Sequence, residues 1–146
     1  MRIVLDTNIL VRANTRSHGP ARELLNIIRS RREHVLILSR QILAEIRRTL
    51  LYPRLQEQYG LSDEVIQEHI ELLQRVSTII EPVAAEPVVL NDPADDLVVY
   101  TAIEGRADVL CTRDADFYAP GVIAFCRQRS IEIMNDVDLL HRLRRR

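Results

Sequence analysis

Ala107-Asp108-Val109-Leu110-Cys111-Thr112-Arg113-Asp114-Ala115-Asp116-Phe117 is a short β-rich run that breaks into acids. Val109–Thr112 reads as a buried strand, with Asp114 and Asp116 beyond its carboxyl end. Upstream, Asp92-Pro93 suits an N-cap followed by the first residue of a helix that runs to about Gly105. The same order opens the chain, where the apolar run Arg2–Leu5 meets a polar turn, Asp6-Thr7-Asn8. A third instance is Val35–Leu38. Ser39 follows as cap of a helix through about Leu51, with Ile42, Leu43, Ile46 and Leu50 on one stripe and Pro53 just beyond.

The remaining elements fit between these. Pro20–Ile28 has a helical period at 21, 24, 25 and 28. Ser62 caps a helix from Asp63 to about Arg75, and Ser77–Val83 reads as a strand. Ala84–Pro87 is the nearest thing to a linker. Val122–Arg129 is a helix, Ile131–Met134 a last strand and Val137–Leu143 a last helix. Strands alternating with helices predict an α/β fold with a mostly parallel sheet. At 146 residues without repeats, the chain suits a single domain, 1–146. Sites in such sheets lie beyond the carboxyl ends of the strands.

Composition narrows the chemistry. The chain is 47% hydrophobic and 28% charged, with a net charge of −1. That near-neutral balance does not itself mark a nucleic-acid binder. The charge is unevenly placed: residues 1–54 hold 11 Arg against 4 acids, and residues 55–146 hold 9 Arg against 17 acids. Every basic side chain is Arg, which excludes lysine chemistry such as a Schiff base or a P-loop. Two cysteines make neither a disulfide framework nor a zinc site. No apolar run suits a signal peptide or reaches the roughly 20 residues of a membrane helix, so the expectation is a cytoplasmic protein.

The sheet rule gathers Asp6, Glu45, Asp114 and Asp116 at one edge, with Asp95 in the first turn of the helix before the fourth strand. Carboxylates a few ångströms apart raise one another's pKa, and burial raises it further. A hard divalent cation such as Mg²⁺ or Mn²⁺ removes that conflict. One or two such ions activate water and stabilise the leaving oxygen of a phosphodiester. The histidines, at 18, 34, 69 and 141, are scattered and suggest no rival site.

Each acid also has an ordinary structural reading. Asp6 before Asn8 suits an Asx turn, and Glu45 a solvated helix flank. Asp92, Asp95 and Asp96 suit any helix N-terminus, Asp92 most of all. Asp114 and Asp116 suit the cap of a short turn. Asp95 shares a face with Val98, Val99 and Ala102, whereas Asp96 shares one with Val99, Tyr100 and Ile103, so periodicity leaves the two open. The coincidence of the acids at one edge carries the argument.

In order, these pieces resemble the PIN-domain family. Asp6-Thr7-Asn8 at the end of a first strand looks like the family's opening. Ser39-Arg40-Gln41-Ile42-Leu43-Ala44-Glu45 is similar to its second acidic segment. Asp92-Pro93-Ala94-Asp95-Asp96, Ala102 and the stretch 107–117 are similar to its most specific part. The resemblance covers nearly the whole chain and implies a three-layer α/β/α sandwich with a mostly parallel central sheet, together with Mg²⁺- or Mn²⁺-dependent ribonuclease activity on an RNA substrate. Many small members are VapC-type toxins neutralised by a cognate antitoxin, and the resemblance implies a homodimer as well. It assigns metal binding and catalysis to Asp6, Glu45, Asp95 and Asp114, with Asp116 beside them. The spacing to Ala102 favours Asp95 over Asp96 within the resemblance. Asn8 and Thr112 match supporting polar positions. The segment after Phe117 shows no family motif.

Around an acidic pocket, phosphate needs cations, and Arg12, Arg16, Arg40, Arg47, Arg48 and Arg113 lie near predicted strand ends or on the Glu45 helix. The terminal Arg142-Leu143-Arg144-Arg145-Arg146 reads as a frayed, solubilising tail. With two Phe and four Tyr, the chain offers no extended base-stacking platform. Two rival functions remain. A phosphotransfer fold opening on a strand-end Asp is disfavoured, because no second Asp stands two positions after Asp6 and lysine is missing. A catalytically silent PIN-like module that binds RNA or protein is disfavoured by the full acid set. Toxin and housekeeping nuclease, and RNA and DNA, are not separated by the sequence.

Overall fold

The structure is a computed structural model and describes residues 1–145. Among them, five strands, all parallel, form one sheet in the order β3-β2-β1-β4-β5. The strands are β1 (Arg2–Leu5), β2 (Val35–Leu38), β3 (Ser77–Ile79), β4 (Val109–Cys111) and β5 (Glu132–Met134). The helices are α1 (Thr7–Arg12), α2 (Pro20–Ser30), α3 (Arg40–Leu50), α4 (Pro53–Tyr59), α5 (Asp63–Val76), α6 (Asp96–Glu104), α7 (Pro120–Arg127) and α8 (Asp136–Arg144). Single 3₁₀ turns span Pro93–Asp95 and Ala115–Tyr118.

The chain leaves β1 in one direction to β2 and β3, then returns to add β4 and β5 on the other side. Right-handed crossovers therefore put the helices of the first half on one face and α6 and α7 on the other. This is the expected α/β/α sandwich. Consistently, α6 packs on β1, β2 and β4, while α2 packs on β2 and α8. The central strands are buried almost throughout: Ile3, Val4, Leu5, Ile37, Leu38, Val109, Leu110 and Cys111 exclude solvent. Strands covered on both faces read as continuous apolar runs, as these do. The helical stripes also fall as their periods predict. Ala21, Leu24, Leu25 and Ile28 of α2 and Ile42, Leu43, Ile46 and Leu50 of α3 are buried. Ser39 and Ser62 cap α3 and α5 by accepting from Ile42 N–H and Val65 N–H. No helix of the described residues is long and apolar enough to cross a membrane.

Several local expectations need correction. The polar turn expected at Asp6-Thr7-Asn8 is the start of α1, because the Asp6 carboxylate caps it at the Thr7 N–H, 2.8 Å. Pro53 does not merely follow a helix; it is the first residue of α4, where its missing N–H costs nothing. The strand expected over Ser77–Val83 stops at Ile79. Ile80 N–H still reaches Leu38 O, 2.8 Å, but Pro82 has no N–H to extend the ladder. The helix expected from Asp92 begins as a 3₁₀ turn, so α6 proper starts at Asp96. The basic tail is not frayed through Arg144. It is the end of α8, with Arg142 forked onto Glu132 and Arg144 paired to Glu23. Arg146, also part of the expected tail, lies outside the described residues.

Candidate active site

The chain's progression across the sheet reverses between β1 and β4, where an open α/β sheet forms its crevice. Asp6 is the residue directly after β1, and its N–H donates to Cys111 O on β4, 2.9 Å. It is 4% exposed. Its Oδ1 accepts from the Thr7 N–H, and its Oδ2 accepts from the Thr112 hydroxyl at 2.8 Å and Asn8 Nδ2 at 3.3 Å. Burial pushes its carboxyl up to about 6, against those donors and with the help of the nearby charges of Asp114 and Glu45. Asn8 closes the loop by accepting from the Arg113 N–H, 3.3 Å. Thr112 in turn accepts from the Asp114 N–H, 3.0 Å.

The other acids come from three further segments. Glu45, one and a half turns into α3, is exposed and accepts from the Thr7 hydroxyl, 3.0 Å. Asp114 caps the 3₁₀ turn after β4 by accepting from the Asp116 N–H, 3.0 Å. Asp116 accepts from Asn91 Nδ2, 3.4 Å. Asp95 ends the Pro93–Asp95 turn, and its Oδ2 is buried with no hydrogen-bond partner among the described residues. Its carboxyl is pushed up to about 8, first by burial and then by the charges of Asp6, Asp92 and Asp114.

The structure separates Asp95 from Asp96. Asp96 is buried away from the acids and accepts from the Val88 and Val89 N–H groups, 3.1 and 2.8 Å, so it anchors the segment before the turn. Asp95, Asp6, Glu45 and Asp114 line one open cleft of about 480 Å³. Asp92, which from sequence suits chiefly a cap, belongs there too. It does cap Ala94, 3.1 Å, yet one oxygen each of Asp92, Asp95 and Asp116 lie within 4.8 Å of one another. An acid three residues before Asp95 on a tight 3₁₀ turn is the signal that would have found it.

These donors suit a hard cation. They are all carboxylate oxygens, and the unpartnered Asp95 Oδ2 is the kind of buried group that costs free energy unless something pairs with it. The cations proposed from sequence are less concentrated. Arg12 lines the cleft, and Arg48 borders a neighbouring groove that shares Glu45. Arg113 is instead held by the buried Asp136, with Nε at 2.7 Å, and Arg40 pairs with Glu81, 3.1 Å. Arg16 and Arg47 are exposed and line neither groove. A larger depression, about 790 Å³, lies by the amino ends of β1 and β5, lined by Met1, Asp108, Glu132 and Arg142. Its acids are already committed: Asp108 to the Arg2 N–H and Glu132 to Arg142. It gathers no unpaired carboxylates, which leaves the smaller cleft as the candidate site.

Comparison with known proteins agrees with this fold. Two solved structures share the fold. VapBC2 from Rickettsia felis, bound to a DNA fragment from its promoter, matches with 17% identity and a TM-score of 0.58. FitAcB from Neisseria gonorrhoeae matches with 18% identity and a TM-score of 0.54. Each alignment covers 92% of this chain and 98% of the other. No curated protein sequence matches the chain. The family model described as PIN domain matches residues 2–116, a span that starts with β1 and ends on Asp116, which lies beside Asp92 and Asp95. The chain therefore belongs to the PIN-domain family.

Proposed function

We propose that the chain is a Mg²⁺- or Mn²⁺-dependent endoribonuclease, the toxin of a toxin–antitoxin pair, working in the cytoplasm as a homodimer. One observation carries the reading: a buried, unpartnered Asp95 oxygen in a cleft walled by Asp6, Glu45, Asp92 and Asp114. Membership of the PIN family and likeness to the VapBC2 fold support it. Asp6, Asp95 and Asp114 would hold the ion, with Glu45, Asp92 and Asp116 completing the rim. When bound, Mg²⁺ or Mn²⁺ supplies positive charge against the phosphate and makes water a stronger nucleophile at neutral pH.

The chain's own residues prepare that site. Thr112 and the Thr7 N–H orient Asp6 from opposite sides, so both of its oxygens have fixed directions. The Thr7 hydroxyl steers Glu45, which otherwise sits on an exposed helix flank. Arg12 places a guanidinium at the cleft to meet backbone phosphate, a contact that is blind to base sequence. The antitoxin would be a protein that covers this cleft.

The test is cleavage of single-stranded RNA with Mn²⁺, Mg²⁺ or EDTA, beside Asp6→Asn. Metal-dependent cleavage that the variant loses supports the nuclease. Equal cleavage by both proteins, or cleavage in EDTA, refutes the assignment of Asp6. RNA binding without cleavage under any metal shifts the reading to a catalytically silent binding module.

A further inference from the structure

The cleft has a second wall that carries no acid. It is built by Thr49 at the end of α3 and by Leu55, Gln58 and Tyr59 of α4. Leu55 and Tyr59 are four residues apart and so share one face of α4. No residue of α4 is fully buried, and its exposed neighbours Leu51 and Tyr52 continue the apolar surface outward.

The position of Tyr59 is fixed by the way α4 ends. Gly60 adopts φ 66°, a left-handed conformation that glycine takes without steric cost. That residue turns the chain so that the Leu61 N–H donates to Gln56 O, 2.9 Å, and buries Leu61 beneath the helix end. Tyr59 is thereby held at the last turn, partly buried against the core and lining the same cleft as the acids.

The other aromatic side chains are engaged elsewhere or lie outside the cleft. Phe117 and Tyr100 are buried, and Phe125 lies 3.5 Å beneath the Arg129 guanidinium. The Tyr118 hydroxyl donates to Thr112 O, and Tyr52 is outside the cleft. Neutral residues with one aromatic ring, lining one cleft with the carboxylates, match the two ends of a nucleotide. The phosphate end needs cations held by acids, and the base end needs a π-face and an apolar ledge.

We propose that Leu55, Gln58 and Tyr59 form a nucleobase-binding wall. The base next to the scissile phosphate stacks on Tyr59 while its phosphate lies at the acids. The inference rests on the nuclease reading for the identity of the strand. It assigns Tyr59 a substrate-binding role that neither the family's acids nor the fold supply. A stacked base must be unpaired, so the wall selects single strands locally over duplex.

The probe is a short fluorescein-labelled single-stranded RNA, compared with a strand of the same length lacking its bases. Binding is read by anisotropy with Ca²⁺ replacing Mn²⁺, and cleavage is followed with Mn²⁺. Loss of one stacked base corresponds to roughly a 5- to 150-fold change. Tyr59→Ala is expected to raise Kd and KM for the base-bearing strand by that factor, with kcat little changed. Tyr59→Phe should restore wild-type values, and the base-free strand should bind wild type and Tyr59→Ala alike. Tyr59→Leu, which keeps apolar contact with the core, replaces the alanine variant should that one melt early. Equal weakening of both strands, no weakening, or no binding of the labelled RNA by wild type overturns the wall. Cleavage without ring dependence overturns the wall and leaves the nuclease standing. Ring-dependent binding without cleavage does the reverse.

Discussion

The Thr112 hydroxyl donates to Asp6 Oδ2 across 2.8 Å, joining the carboxyl ends of β1 and β4 through a buried pair 106 residues apart in sequence. The same oxygen of Thr112 accepts from the Asp114 N–H, so one side chain positions two acids. Replacing Thr112 with Val keeps the shape and removes both bonds. It is expected to cost about 1–3 kcal/mol by leaving buried polar groups short of partners. Cleavage should fall with it, and Thr112→Ser should recover most of both. Urea denaturation with a parallel cleavage assay measures the two effects.

The acids should make the metal-free protein less stable as pH rises. Asp6 and Asp95 hold their protons in the folded state to about 6 and about 8, against 3.8 in the unfolded chain. Between pH 4 and 8 the unfolded chain therefore binds fewer protons than the folded one, and folding stability declines across that window. Asp6 alone contributes about 3 kcal/mol to the decline, most of it below pH 6. The Tm in EDTA should fall from pH 4.5 to 8, and Asp6→Asn should flatten the slope and raise Tm at pH 8. A Tm that is level or rising over this range would show that the acids are not held protonated.

Neighbouring aspartates should separate in their effects. Asp95→Asn removes a repelled, unpartnered carboxylate, so it should leave metal-free stability level or higher while lowering cleavage at least 100-fold, on the order of 3 kcal/mol. Asp96→Ala removes the acceptor of the Val88 and Val89 N–H groups and should cost about 1–3 kcal/mol instead. Thermal melts and cleavage rates of the two variants, taken together, check this contrast.

Gly105 packs α6 against β2. A Cβ there would lie 2.6 Å from Ile37 Cγ2 and 2.9 Å from Thr101 O. Backbone oxygen cannot yield as a flexible side chain does, so Gly105→Ala should destabilise by about 1–3 kcal/mol through overpacking. A second change, Ile37→Val, should relieve part of that loss, which a double-mutant cycle measures.

The alternation of strands and helices along the chain, and the gathering of Asp6, Glu45, Asp95 and Asp114 in one cleft, were legible because both obey local rules. A buried parallel strand must be apolar, and the residues just past its carboxyl end face the crevice. The parts that escaped depend on partners distant in sequence. Helix α1 escaped because Ile9, Leu10 and Val11 are all buried in one run, which masks the helical period. It escaped also because Asp6 serves as cap and rim acid at once. Asp95 and Asp96 could not be told apart by period. They are distinguished by the Val88 and Val89 N–H groups, which need an acceptor and take Asp96. Arg113 sits where a phosphate ligand would be guessed, but the buried Asp136 of α8 claims it.

The register of β1 against β4 pairs Ile3 with Val109 and Leu5 with Cys111. Asp6 and Glu45 thus wait on acids that emerge much later in the chain. At ribosomal speeds of 5–20 residues per second, roughly 5 to 20 s separate the synthesis of Asp6 from that of Asp116. Throughout that interval the nascent chain carries half a rim and an unpaired β1 edge. The acidic cleft is thus a late product of translation, absent from every truncated chain that ends before β4.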